Sequence, residues 1–206
     1  MGRTSTARDR LVSSARRLML TRGYASLGVA EICADADVRK GSFYHFFSSK
    51  QALTSAAVDA HWTEQRQEWE RALRGPGTPV ERLRALVAHL VEDQRAEYAE
   101  RGRIHGCLYG NLALELSGHE PDVRARLSEV FAEQAALVTE VVGQARQRGE
   151  LDQETPDRLL AESFLAQVEG GVLLARVHDA PDLLDLVWPG VRRLLGIVSG
   201  EPAATP

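Results

Sequence analysis

The sequence predicts an all-α protein: a three-helix N-terminal head followed by a helical bundle, about nine helices in total. Three observations carry this. β-Branched runs with strict alternation are absent, and apolar residues recur at spacings of three and four. Helix-start signals also punctuate the chain, as in Ser48-x-x-Gln51 and Thr78-Pro79-x-Glu81. The 206 residues suffice for one large or two small domains. Hydrophobic residues at 44% and charged ones at 26% mark a globular rather than a disordered composition. No apolar run approaches the ~20 residues of a bilayer span, so no membrane partner is expected. The start, MGRTSTARDR, has no apolar core of a secretory signal. Cys33 and Cys107 lie far apart in no ligand-like pattern, which fits a reducing, cytoplasmic location.

Taken in order, residues 5–21 place Leu11, Ala15, Leu18 and Met19 on one helical face, and Gly23 is a plausible stop. Tyr24 and Leu27 then tuck under the next helix. A second helix over 28–35 turns Val29, Ile32 and Cys33 inward, with Cys33 read as a small core residue. Ala36-Asp37-Val38 forms a turn whose middle residue is left-handed, a conformation that Asp tolerates. A third helix over 39–46 turns Phe43, Phe46 and Phe47 inward and leaves Arg39, Lys40, Ser42, Tyr44 and His45 outward. That exposed face offers two cations, a hydroxyl, a phenol and an imidazole, all able to donate to phosphate oxygens or base edges. Gly41 costs about 1 kcal/mol of helix propensity, sensible where a backbone must come close to a partner.

Helix, tight turn and short second helix are the grammar of a helix-turn-helix. Charge agrees. The first 50 residues hold nine Lys/Arg against four Asp/Glu, a net +5, and the remainder holds 16 against 25, a net −9. A basic head on an acidic body is the footprint of a polyanion-binding protein.

The stretch GYASLGVAEICADADVRKGSFYHFFSSKQAL resembles the DNA-binding head of the TetR family of bacterial transcriptional regulators, with KGSFYHFFSSKQAL close to its pattern. The resemblance implies that Lys40, Gly41, Ser42, Tyr44, His45 and Lys50 approach DNA, the later ones mainly at phosphates. Two departures stand out. Leu27-Gly28 replaces the family's Thr-Ser, so Ser26 or the bare amides at Gly28 must cap the second helix and meet the phosphate. Asp37 replaces the usual turn glycine.

Ser48 is expected to cap a helix over 49–73 that carries Trp62 and Trp69 seven residues apart. Further helices follow: from Pro79 to about 98, over Leu108–Leu116, from about 120 to 148, over 156–178, and from Pro181, the last kinked at Trp188-Pro189-Gly190. HGCLYGNLALEL, at residues 105–116, resembles a GCLxGNLxxEL signature of one branch of TetR-like regulators. Gly170-Gly171 in the penultimate helix points to a tight helix crossing. The last two helices, Leu159–Val177 and Leu183–Leu195, carry more apolar surface than an outer pair needs, which suggests a homodimer interface. The expected organisation is a DNA-binding domain at 1–50, a ligand-binding and dimerisation domain at 51–199, and a disordered tail at 200–206.

Catalytic signatures are absent: no Gly-x-Ser-x-Gly, no phosphate-binding glycine loop, no dinucleotide fingerprint, no HExxH. No enzyme activity, cofactor or metal is expected. The residues themselves support a basic helix-turn-helix on an acidic helical body; the resemblance implies a ligand-responsive homodimeric repressor that binds a palindromic operator in double-stranded DNA and is released by a small-molecule effector. Candidate lining for the effector is Trp62, Trp69, Tyr98, Cys107, Tyr109, Asn111, Phe131, Phe164 and Gln167, an apolar set with a few amides. Two other readings stand beside it. One is a thiol-based redox or electrophile sensor at Cys107, with Arg101, Arg103 and His105 just upstream. The other is a helical small-molecule-binding protein without a regulatory role. Effector identity, operator sequence, and activation against repression have no signature in the sequence.

Overall fold

The computed structural model describes residues 2–197 apart from 117 and 153, with side chains from residue 7 onward. The expectation for 200–206 lies outside the described residues. Nine α-helices are present among them: α1 Gly2–Arg22, α2 Val29–Asp35, α3 Lys40–Phe46, α4 Lys50–Leu73, α5 Pro79–Arg101, α6 Leu108–Leu116, α7 Pro121–Gln147, α8 Asp157–His178 and α9 Val187–Leu194. A 3-10 segment, Pro181–Leu186, precedes α9.

Two compact units are formed, and neither is continuous in sequence. The first joins Met1–Glu68 to His105–Ala132, and the second joins Trp69–Ile104 to Glu133–Pro206. The cut falls inside α4 and inside α7, so contacts group the chain differently from a linear division at residue 50.

In the first unit, α1 packs against α2, α3 and α6. Its core contains the predicted α1 face, Leu11, Ala15, Leu18 and Met19, together with Ile32, Cys33, Phe43, Phe47, Leu53 and Val58. Gly23 ends α1 with φ 80°, its N–H donating to Met19 O, and Tyr24 and Leu27 are buried behind it. The cap of α4 is one residue later than expected. Ser49 Oγ, not Ser48, accepts from Ala52 N–H at 3.1 Å, and the Gln51 amide is engaged elsewhere.

In the second unit, α8 lies against α9 and the 3-10 segment, and α5 against all three. Ile104, Val172, Ala175 and Leu184 form a buried cluster on which Val91, Tyr98 and Leu183 pack. The reciprocal cap of α5 is as read: Glu81 N–H donates to Thr78 Oγ1 and Thr78 N–H to Glu81 Oε2. The tight crossing is present at Gly171, where a Cβ would come within 2.6 Å of Val187 Cγ2. At neighbouring Gly170 a Cβ would meet nothing within 4 Å. The expected kink at Trp188-Pro189-Gly190 is absent. The break comes earlier, between the 3-10 segment and α9, and Pro189 sits in the first turn of α9. First-turn N–H groups have no intrahelical acceptor, so a proline there removes nothing.

Candidate nucleic-acid interface and aromatic cluster

The short helix α3 is held from behind by its own aromatics. Phe43 is fully buried, with the Phe47 ring 5.9 Å away and the Tyr44 ring edge-on at 5.1 Å. Phe46 is only half-buried and packs edge-on to His45. The turn before α3 places Asp37 at φ 51°, the left-handed conformation expected of it. Val38 N–H returns to Cys33 O at 2.9 Å, and Arg10 donates to Asp37 O at 3.2 Å, fastening the turn to α1.

The outer face of α3 presents Arg39, Lys40, Gly41, Ser42, Tyr44 and His45, all exposed. Ion pairing sorts the cations of this region. Arg10 pairs with Asp37, Arg16 with Glu64, Arg17 with Asp35 and Arg22 with Glu31. Arg39 and Lys40 have no acidic partner among the described residues. Arg39 and Lys40 at the start of α3, and Arg8 of α1 over the Phe47 ring, are therefore cations that a polyanion could neutralise. Gly41 leaves that face bare, since a Cβ there would meet nothing within 4 Å.

Three other candidates have settled partners. Ser26 Oγ donates backwards to Arg22 O at 2.8 Å and does not cap α2. Gly28, the N-cap of α2, has its N–H taken by Glu31 Oε2 at 2.9 Å. That bond, then Arg22, holds the Glu31 carboxyl below its usual range. Lys50 points inward. Its Nζ donates to Tyr24 O at 2.8 Å and Leu27 O at 2.7 Å, and lies 3.6 Å from the Tyr24 ring centroid. Desolvation draws its pKa down, opposed by Glu115, Glu120 and Glu31. Lys50 thus staples the α1–α2 loop to the start of α4, and at most one of its three N–H donors remains for a phosphate.

Of the effector candidates, the first unit brings together Trp62, Tyr109 and Phe131. Trp62 and Phe131 stand edge-on to the Tyr109 ring at 6.4 and 6.3 Å. His61, not singled out from the sequence, lies 5.2 Å from the same ring. Burial, then Arg16, pushes its pKa down to about 4, so it is neutral at pH 7. Tyr109 is fully buried, and its hydroxyl has no hydrogen-bond partner among the described residues. Burial, then the nearby Cys107, pushes its phenol well above the ordinary range. Asn111 donates from Nδ2 to His105 O at 2.9 Å and secures the loop into α6. Cys107 is half-buried. Trp69, Tyr98, Phe164 and Gln167 belong to the second unit.

Two acids that sequence reasoning left without a job reach the head. Glu115 accepts from Ala25 N–H, and Glu120 from both Tyr24 and Gln51. For Glu115 the signal in the sequence was a carboxylate on a helix whose other residues, Tyr109 and Asn111 apart, are apolar.

Comparison with known proteins gives two family matches. Residues 11–57 match bacterial regulatory proteins of the tetR family, and residues 79–191 match the tetracyclin repressor-like C-terminal domain. The chain is 34% identical over 181 residues to the transcriptional regulator AcuR of Cereibacter sphaeroides, covering 87% of this chain and 81% of that one. It is 28% identical over 186 residues to the HTH-type transcriptional repressor DhaR of a Mycobacterium species, covering 90% and 89%. Among solved structures, regulatory protein TetR from Rhodobacter sphaeroides superposes with a TM-score of 0.82 at 31% identity, covering 91% of this chain and 98% of that one.

Proposed function

Since the chain belongs to the TetR family of bacterial DNA-binding transcriptional regulators, we propose that it is a homodimeric repressor that binds an inverted-repeat operator through two copies of α3 and leaves it when a small molecule binds. One observation carries the DNA reading: Arg39 and Lys40 have no acidic partner among the described residues, on a face shared with Ser42, Tyr44 and His45. Lys40 supplies a phosphate contact, and Tyr44, 57% exposed, supplies a base-edge or methyl contact. Gly41 leaves room for a strand, and the α2 start at Gly28 and Ser26 lies against the neighbouring backbone. The DNA-reading segment is 1–50, and the rest carries effector binding and dimerisation. Similarity to relatives such as the repressor DhaR supports repression over activation.

The test uses full-length protein and a duplex selected by the wild type from random-sequence DNA. Lys40→Ala and Tyr44→Ala each weaken binding about tenfold or more, with helicity and dimer mass unchanged. Lys40→Ala also lowers the slope of log K against log salt by about 1. Normal affinity in both variants would remove α3 as the reading element.

For the effector, the cluster around Tyr109 is the proposed site in the first unit. A buried hydroxyl left unpaired costs roughly 1–3 kcal/mol, which a ligand accepting its hydrogen bond would recover. Neutral His61 and the apolar walls favour an uncharged molecule with one acceptor. Tyr109→Phe should therefore keep or slightly raise the melting temperature without effector, and leave operator binding intact, while abolishing release by whichever compound releases the wild type. A destabilised Tyr109→Phe protein would mean the hydroxyl has a structural partner.

A further inference from the structure

The corner between α6 and α7 holds the α1–α2 loop with carboxylates. Glu115 Oε2 accepts from Ala25 N–H at 2.9 Å. Its Oε1 lies over Gly23, where a Cβ would come within 2.8 Å of it and push the carboxylate aside, while the positive φ is what calls for glycine. Glu120 Oε1 accepts from Tyr24 OH at 3.3 Å and from Gln51 Nε2 at 3.0 Å, joining the loop to the first turn of α4. The Lys50 ammonium sits between, bound to Tyr24 O and Leu27 O, near enough to both carboxylates for their charge to favour its own. Every member belongs to the first unit.

The loop so held leads directly into α2, and α2 packs against α3. The pose of the loop therefore sets the pose of α3. Hydrogen bonds with a charged partner are the stronger kind, so two such attachments weigh heavily on a six-residue connection.

We propose that Glu115 and Glu120 are positioning residues for DNA recognition: from the α6–α7 corner they fix the loop and Gln51, and through them the orientation of α3. This rests on the DNA-binding reading of α3. It also gives a physical route for regulation. Tyr109 lies on the same helix as Glu115, six residues or about 9 Å along the axis. A ligand that shifts α6 at Tyr109 displaces the carboxylate that holds the loop.

The experiment measures operator affinity by fluorescence anisotropy on full-length protein, with the duplex selected by the wild type, alongside amide hydrogen exchange of the Gly23–Gly28 segment. Glu115→Ala raises Kd about tenfold and speeds exchange at the Ala25 amide, with the salt slope unchanged because no phosphate contact is lost. Glu115→Gln, whose amide oxygen still accepts from Ala25, returns Kd to within about threefold of wild type. Glu120→Ala raises Kd and speeds exchange at the same segment. Wild-type Kd in both alanine variants would overturn the proposal. So would Glu115→Gln behaving like Glu115→Ala, which would make the effect one of charge or fold. If Glu115→Ala melts, Glu120→Gln decides instead: its amide oxygen can still accept from Tyr24, and a full loss of binding there would overturn positioning by hydrogen bond. Failure of the wild type to select any duplex is a different result, which sinks the DNA-binding reading itself.

Discussion

Phe43→Ala is expected to abolish operator binding and to lower the melting temperature of the first unit. The ring is fully buried among α1, α2 and α3 residues. It is also the buried residue of a helix only seven residues long. Helices under about 12–15 residues are marginal by themselves, so α3 exists because its aromatic face is anchored. Truncating a buried phenylalanine costs about 3–5 kcal/mol. That is a large share of the ~5–15 kcal/mol that keeps a whole domain folded. The outward donors, Arg39 to His45, would then have no fixed frame, and their affinity for DNA falls with it. Thermal melts read by circular dichroism, with anisotropy on the selected duplex, check this. Phe43→Leu, which keeps most of the apolar volume, is the control and should lose much less. Retained binding with an unchanged melt in Phe43→Ala would show that α3 is held by something else.

Leu174→Asp combined with Val177→Asp is expected to yield a monomer that binds the operator at least a hundredfold more weakly. On α8, Leu160, Phe164, Val168, Val172 and Ala175 are buried within the second unit. On its other side Leu159, Leu173, Leu174 and Val177 are exposed, with Val177 at 68%. Leu186 of the 3-10 segment is exposed at 61%. A helix apolar on both sides is one that expects a second partner. Open space at Gly170, four residues before Leu174, lets another backbone approach that stripe. In the homodimer proposed above, a second copy of the chain would supply a matching surface by symmetry. Two aspartates per chain then place four like charges in an apolar contact, which a dimer held by roughly 1.5–3 kcal/mol per buried leucine cannot carry. Losing the dimer removes the avidity of two linked heads, worth about 10²–10⁴ in affinity. Sedimentation velocity at micromolar protein gives the mass. A variant that remains dimeric would place the interface elsewhere.

Much of the fold was legible because its signals are local. Helix spacing, the Thr78-Pro79-x-Glu81 cap, the glycine stop at Gly23 and the left-handed Asp37 are each decided by a few neighbouring residues. The outward set on α3 followed from the same periodicity. What was not legible depends on partners distant in the chain. Gln51 resembled half of a capping box, but its amide goes to Glu120, and the cap moves to Ser49. The family resemblance implied a phosphate contact for Lys50, yet two of its three N–H donors go to the backbone carbonyls of Tyr24 and Leu27. Pro189 was read as a breaker without knowing where α9 begins, and at a helix start proline is harmless. Trp62, Tyr109 and Phe131 fall in the first unit and Trp69, Tyr98 and Phe164 in the second, and no spacing rule tells which aromatics fall in which unit.

The interleaving of the first unit bears on how the protein is made. Tyr24 and Glu120 are 96 residues apart, and Ala25 and Glu115 are 90 apart. A ribosome that has released residue 57 has delivered the whole segment that matches the tetR-type head, yet neither carboxylate exists. The nascent head has the Lys50 staple but must wait for slightly more than as much chain again before its loop gains the two carboxylates, and closing so long a segment costs entropy that late contacts return. Vectorial synthesis therefore adds the carboxylate contacts of the α1–α2 loop only after α6, so a nascent chain stalled before that point has α3 and the Lys50 staple without Glu115 and Glu120.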